Sequence, residues 1–175
     1  MSLSVLLGGA RAGKSAIAVR LASTSGRPVV VVATAEARDE EMAERIRRHR
    51  EDRPADWTTL EVPLGLSDAI GGLAGDACVI LDCLSLWVSN EMEAEKEDDA
   101  IVEQARTVAR TLAARDAPTI VVSNEVGLGI VPINDLARRY RDVLGRVNVA
   151  FVDAADAAYL VVAGRALPLE EPTFT

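Results

Sequence analysis

The stretch Gly8-Gly9-Ala10-Arg11-Ala12-Gly13-Lys14-Ser15 limits what this chain can be more than any other part of it. It follows a short apolar run, Leu3 to Leu7, and precedes Ala16-Ile17-Ala18-Val19-Arg20-Leu21-Ala22, which has helical character. A glycine turn between a strand and a helix is a cradle for phosphate. Gly8 and Gly13 allow backbone N–H groups to converge on phosphate oxygens, and the helix adds the positive end of its dipole. In the full G-x-x-x-x-G-K-[ST] pattern, Lys14 reaches the outer phosphates of a nucleotide and the Ser15 hydroxyl ligates the accompanying magnesium ion.

The remaining pattern supplies the frame. Val29 to Ala33, Cys78 to Asp82 and Thr119 to Ser123 are apolar almost throughout, as strands buried on both faces of a parallel sheet are. Trp57 to Val62 is a more polar strand expected near an edge, and Tyr159 to Ala163 is a last strand before a polar tail. Between them lie helices expected after the turn Thr34-Ala35-Glu36-Ala37 as far as about Arg50, from Leu66 to Leu73, from about Ala100 to Arg115, and from Asn134, a candidate N-cap, to about Ala155. Glu91 to Asp99 is a charged stretch expected to be exposed. Strands alternating with helices predict an α/β chain with a mostly parallel sheet flanked by helices, organised as one domain over residues 1–175.

Composition narrows the partners. A net charge of -8 argues against nucleic acid and anionic membranes, which are gripped through basic surface. No apolar run approaches the ~18 residues of a membrane span, and Gly8 stands too near the first Met for a secretory leader, so a cytoplasmic location is expected. Cys78 and Cys83 close the two ends of one strand, about 16 Å apart if extended, and are expected to be reduced, mostly buried thiols.

In parallel sheets of this kind ligands bind at the carboxyl ends of the strands. That rule selects Gly8 to Ser15, Thr34 to Glu36, Asp82 to Leu84 and Asn124 to Gly129. Asp82, closing an apolar strand, is placed either to hold magnesium opposite the phosphate loop or to make a simple strand-end turn. His49 is the only histidine, and with Met42, Ile46 and Arg53 it forms one helical stripe facing the protein body. It is either a histidine suited to a helix C-terminus or a nucleophile toward a nucleotide phosphate, with Arg47, Arg48, Arg50 and Arg53 around it. Asn124 and Glu125 are open to a substrate or base role, or to a capping and turn role.

These residues together carry a resemblance. Gly8-Gly9-Ala10-Arg11-x-Gly13-Lys14-Ser15, Ala33-Thr34-Ala35, Asp39-Glu40-Glu41-Met42-Ala43, Arg45-Ile46-x-x-His49-x-x-x-Arg53-Pro54-x-x-Trp57 and Asn124-Glu125-Val126-Gly127-x-Gly129-Ile130-Val131-Pro132 resemble the bifunctional adenosylcobinamide kinase/adenosylcobinamide-phosphate guanylyltransferase family. The resemblance implies a RecA-like P-loop NTPase fold, homo-oligomers with trimers among related proteins, and two reactions in cobalamin biosynthesis. A nucleoside triphosphate, ATP or GTP, phosphorylates adenosylcobinamide. GTP then guanylylates the histidine matched by His49, and the GMP passes to adenosylcobinamide phosphate. It further implies that Gly8 to Ser15, Ala33, Thr34, Ala35, Arg50, Glu51, Asp52, Arg53, Glu61 and Asp82 contact the nucleotide, while the Mg2+ expected at Ser15 and Asp82 rests on the loop pattern and the strand-end position. Ala12 departs from the serine usual inside the family's loop, which removes one hydroxyl bond worth about 1 kcal/mol. A kinase without a covalent intermediate, in which His49 is structural, and a nucleotide-binding switch are the alternatives that use the same loop.

Overall fold

The computed structural model describes residues 2–172. Its strands are β1 (Leu3–Leu7), β2 (Val29–Ala33), β3 (Thr58–Glu61), β4 (Cys78–Asp82), β5 (Thr119–Val122), β6 (Ala157–Val162) and β7 (Arg165–Leu169). They form a seven-stranded sheet in the order β3-β2-β4-β5-β1-β6-β7. All neighbours pair in parallel except β6 with β7. The helices are α1 (Lys14–Ser23), α2 (Glu40–Glu51), α3 (Leu66–Gly71), α4 (Leu84–Glu93), α5 (Asp98–Ala113) and α6 (Asp135–Ala154).

Alternation along each strand divides the core in two. Leu3, Val5, Leu7, Val79, Leu81 and Val121 face α3, α4, α5 and α6. Leu6, Val29, Val31, Ile80, Ile120 and Val122 face α1 through Ile17, Ala18 and Ala22. Apolar residues on both faces are what a covered parallel sheet needs, and each such side chain contributes about 1.5–3 kcal/mol when fully buried. Asn134 caps α6 as expected, its Oδ1 accepting from Ala137 N at 3.1 Å, and β3 lies at an edge as expected.

The expected turn after β2 runs through Arg38 and leads into α2, where Asp39 takes the N-cap and accepts from Met42 N at 2.7 Å. Other expectations are corrected. A helix not anticipated in the sequence, α4, begins two residues after β4 ends. Glu91 is therefore not part of an exposed charged stretch. It is buried inside α4, accepting from Trp87 Nε1 at 3.0 Å and paired with Lys96 at 2.7 Å. The polar tail contains β7, which turns back on β6 through Ala163 and Gly164. Of the two thiols, Cys78 is buried and Cys83 only partly so.

Candidate active site

Because β1, β2, β4 and β5 run parallel, their carboxyl ends bring four loops to one edge of the sheet. The loop between β1 and α1 is set by two close approaches. A Cβ on Gly8, at φ +154°, would lie 2.4 Å from the Val161 carbonyl oxygen, and one on Gly13, at φ +98°, would lie 3.0 Å from Gly164 Cα. Gly164 N also donates to Ala12 O at 2.8 Å. The β6–β7 turn is thus the floor of the loop, which gives the C-terminal hairpin a purpose that its composition did not reveal.

Lys14 is buried, and its ammonium donates to the carbonyls of Gly8 at 2.8 Å and Gly9 at 2.7 Å. Burial pushes its pKa below the ordinary lysine value, and the nearby Arg45 guanidinium presses the same way, while the Asp82 carboxylate opposes both. Ser15 sits half-buried in the first turn of α1, while Gly9, Ala10 and Arg11 stand exposed above the loop.

Asp82 is the point where the loops meet. Its Oδ2 accepts from Arg53 Nη2 at 3.1 Å and lies 4.0 Å from His49 Nδ1, with the Arg53 and Asp82 side chains 9% and 14% exposed. Both contacts fall on one oxygen, which leaves Oδ1 to other partners. His49 is half-buried, as are Met42, Ile46 and Arg53, so the expected stripe does face the protein. No residue of α2 is fully buried, however. The helix is held at its C-terminal end by polar contacts, Arg53 to Asp82 and Arg50 to Glu61, rather than by a core.

The rest of the arginine cluster points elsewhere. Arg47 pairs with Glu44 and Glu51, and Arg48 with Glu44, on the exposed face of α2, where these guanidiniums draw the Glu44 carboxyl down to about 2. Glu51 is engaged there, and Asp52 is the exposed C-cap residue of α2. The Ala33-Thr34-Ala35 turn does join the site. Thr34 Oγ1 donates to Cys83 O at 2.7 Å and accepts from Cys83 N at 3.0 Å, tying the end of β2 to the residue after Asp82. Glu125 N donates to Gly8 O at 3.1 Å, which sets the Asn124-Glu125 turn against the phosphate loop.

Two supports escaped sequence reasoning. Asn90, on the unanticipated α4, donates to Thr34 O at 2.8 Å and so fixes the turn after β2. Asn148, inside α6, accepts from Ser123 Oγ at 2.6 Å and donates to Asn124 O at 3.0 Å. Each is a polar residue at an inward position of a helix, and that is the only signal the sequence offered. An open cleft of about 1310 Å³ lies apart from the loop, between α4, α5 and α6, and Glu93 on its rim pairs with Arg38.

The arrangement has the parts of a phosphate-transfer site: a glycine loop with a lysine, hard oxygen donors, and an imidazole and a guanidinium sharing a carboxylate. Comparison with known proteins agrees. The family model described as cobinamide kinase / cobinamide phosphate guanyltransferase matches residues 4–169. The bifunctional adenosylcobalamin biosynthesis protein CobP of Pseudomonas aeruginosa is 40% identical over 167 residues, covering 95% of this chain and 96% of that protein. The bifunctional adenosylcobalamin biosynthesis protein CobU of Salmonella typhimurium is 39% identical over 173 residues, covering 91% of this chain and 95% of that protein. Among solved structures, the RadB recombinase superposes with a TM-score of 0.55 at 14% identity, over 91% of this chain and 73% of that one, a likeness of fold that agrees with the expected α/β architecture.

Proposed function

From the premise that this chain belongs to the cobinamide kinase / cobinamide phosphate guanyltransferase family, we propose that its phosphate loop and His49 serve the two reactions in turn. It is a transferase of cobalamin biosynthesis with kinase and guanylyltransferase activities. In the first reaction the loop Gly8 to Ser15 holds the triphosphate of ATP or GTP, Lys14 neutralises charge on the outer phosphates, and the phosphoryl group passes to adenosylcobinamide. In the second, His49 attacks the α-phosphate of GTP, pyrophosphate leaves, and the guanylyl group is delivered to the cobinamide phosphate.

The observation that carries this reading is the convergence of α2 and the phosphate loop on one carboxylate. Asp82 lies within 4.0 Å of His49 and close enough to Lys14 for its charge to act on the ammonium. A nucleotide whose outer phosphates sit on Lys14 therefore presents its inner phosphate toward α2. Arg53 and Arg50 supply charge there, with Ala33, Thr34, Ala35 and Glu61 forming the adjacent wall.

Ser15 and Asp82 offer a hydroxyl and a free carboxylate oxygen, the hard oxygen donors that suit Mg2+ alongside phosphates and water. Held there, such an ion would supply positive charge against the phosphates during transfer. The Asn124-Glu125 turn, held against Gly8, is the expected substrate loop.

The 1–175 unit acts as a homo-oligomer in the cytoplasm, a trimer by analogy with the family. Among the described residues no helix is long and apolar enough to cross a membrane. Leu128, Ile130 and Ile133 are 84%, 95% and 96% exposed in the segment that follows the candidate substrate loop, an apolar surface that suits a second copy of the chain. The reading is tested by incubating the protein with Mg2+, GTP and adenosylcobinamide and identifying the products by mass. Adenosylcobinamide phosphate, then adenosyl-GDP-cobinamide with pyrophosphate, is the expected sequence. Phosphorylated cobinamide alone, in an excess of GTP, would leave a plain kinase.

A further inference from the structure

We infer that the reacting atom of His49 is Nε2, and that Asp82 is the positioning residue that makes it so. The inference rests on the guanylylation proposed above and specifies the atom that carries it. An imidazole has two nitrogens, and only the one without hydrogen can attack phosphorus. Which one this is depends on what the other faces. Here Nδ1 faces Asp82 Oδ2 at 4.0 Å. The same oxygen is anchored by Arg53 at 3.1 Å, and the carboxylate sits at the end of a core strand, so it is a fixed acceptor rather than a mobile one. A carboxylate attracts an N–H and repels a lone pair. The hydrogen therefore belongs on Nδ1 and the lone pair on Nε2, as in other carboxylate–imidazole–nucleophile arrangements. The separation exceeds a hydrogen bond by about 1 Å, the kind of gap that closes when substrate is bound.

The alternative fails on space. The Asp82 carboxylate, held by Arg53, lies 4.0 Å from Nδ1 and leaves no room for a phosphate bonded there, whereas Nε2 lies on the opposite side of the ring. In the step itself the Nε2 lone pair attacks the α-phosphorus of GTP. The N–P bond forms as the bond from phosphorus to the oxygen bridging toward the β-phosphate breaks, and pyrophosphate leaves with that electron pair. The hydrogen stays on Nδ1, so the ring carries a positive charge facing Asp82. When an oxygen of the cobinamide phosphate attacks the same phosphorus, the N–P bond returns its electron pair to Nε2 and the neutral ring is restored.

His49 is the only histidine of the chain, so nitrogen-15 histidine labelling reports on one ring alone. The protein is labelled, treated with Mg2+ and GTP, and studied by long-range proton–nitrogen NMR with detection of phosphorus–nitrogen coupling. A phosphorus-coupled nitrogen that correlates strongly with both carbon-bound ring protons is Nε2 and supports the inference. One that correlates strongly only with the proton on Cε1 is Nδ1, which overturns the inference and leaves the guanylylated histidine standing. Absence of any phosphorus-coupled ring nitrogen in protein that makes product overturns the guanylyl-histidine itself. The positioning role is read in the unreacted protein at alkaline pH, where nitrogen shifts report the tautomer. The wild type is expected to hold hydrogen on Nδ1, and Asp82→Asn to shift the population toward hydrogen on Nε2. An unchanged tautomer in Asp82→Asn would contradict a role for Asp82.

Discussion

The guanidinium of Arg53 reaches the carboxylate of Asp82 at 3.1 Å across 29 positions of sequence, and so joins the end of α2 to the end of β4. Since α2 has no fully buried residue, this pair does for the helix what a core does elsewhere. Arg53→Ala is expected to lower guanylylation about 100-fold, because a displacement of about 1 Å at a reacting group has that effect. Arg53→Lys should recover part of the rate but not all, since an ammonium lacks the planar fork. Single-turnover transfer rates check both. Equal rates in Arg53→Ala and wild type would remove the pair from the mechanism.

The phosphate loop is also fixed from below. Gly8→Ala places a methyl 2.4 Å from Val161 O at a positive φ, whereas a Cβ on Gly9 meets nothing within 4 Å. Gly8→Ala should cost about 1–3 kcal/mol of stability and weaken nucleotide binding, and Gly9→Ala should do neither to a comparable degree. Urea midpoints with nucleotide titrations on the two variants distinguish them, and equal effects would contradict the contact.

Much of this frame was legible beforehand because parallel strands announce themselves as unbroken apolar runs. The phosphate loop, the four strand-end loops and the inward stripe Met42-Ile46-His49-Arg53 all follow from spacing. What was not legible depends on partners far along the chain. Glu91 reads as solvated charge until Trp87 and Lys96 are seen to enclose it, and with it α4 goes unnoticed. The tail reads as polar until β7 pairs with β6 and its turn meets Ala12. The arginines near His49 look like one cluster, yet Arg47 and Arg48 are taken by glutamates on the outer face, a choice made by helix geometry at i, i+3 and i+4.

Ile130 and Ile133 stand almost wholly exposed in a segment beside the site. The double variant Ile130→Asp with Ile133→Asp is expected to lower the molar mass in light scattering to that of a single chain while leaving circular dichroism unchanged. A mass identical to the wild type would show that this surface does not hold copies together.

Asp156 accepts from Ser2 N at 2.7 Å and Leu3 N at 2.9 Å, and these backbone donors hold its pKa below the ordinary value. A depressed folded pKa contributes stability above the unfolded pKa, near 3.9, that is lost as pH falls through the folded value. Asp156→Asn should therefore lower Tm at neutral pH, and the difference from wild type should shrink as the pH is taken below about 4. A difference that is constant across that range would contradict the assignment.

The most direct measurement uses GTP labelled at the α-phosphate. The protein is incubated with it and Mg2+, denatured in base, and assayed for bound label. Label stable to base, released by acid, chased off by cobinamide phosphate and absent in His49→Ala is the predicted result. Label that persists undiminished in His49→Ala, or product formed by wild-type protein that never carries label, would contradict a guanylyl group held on His49.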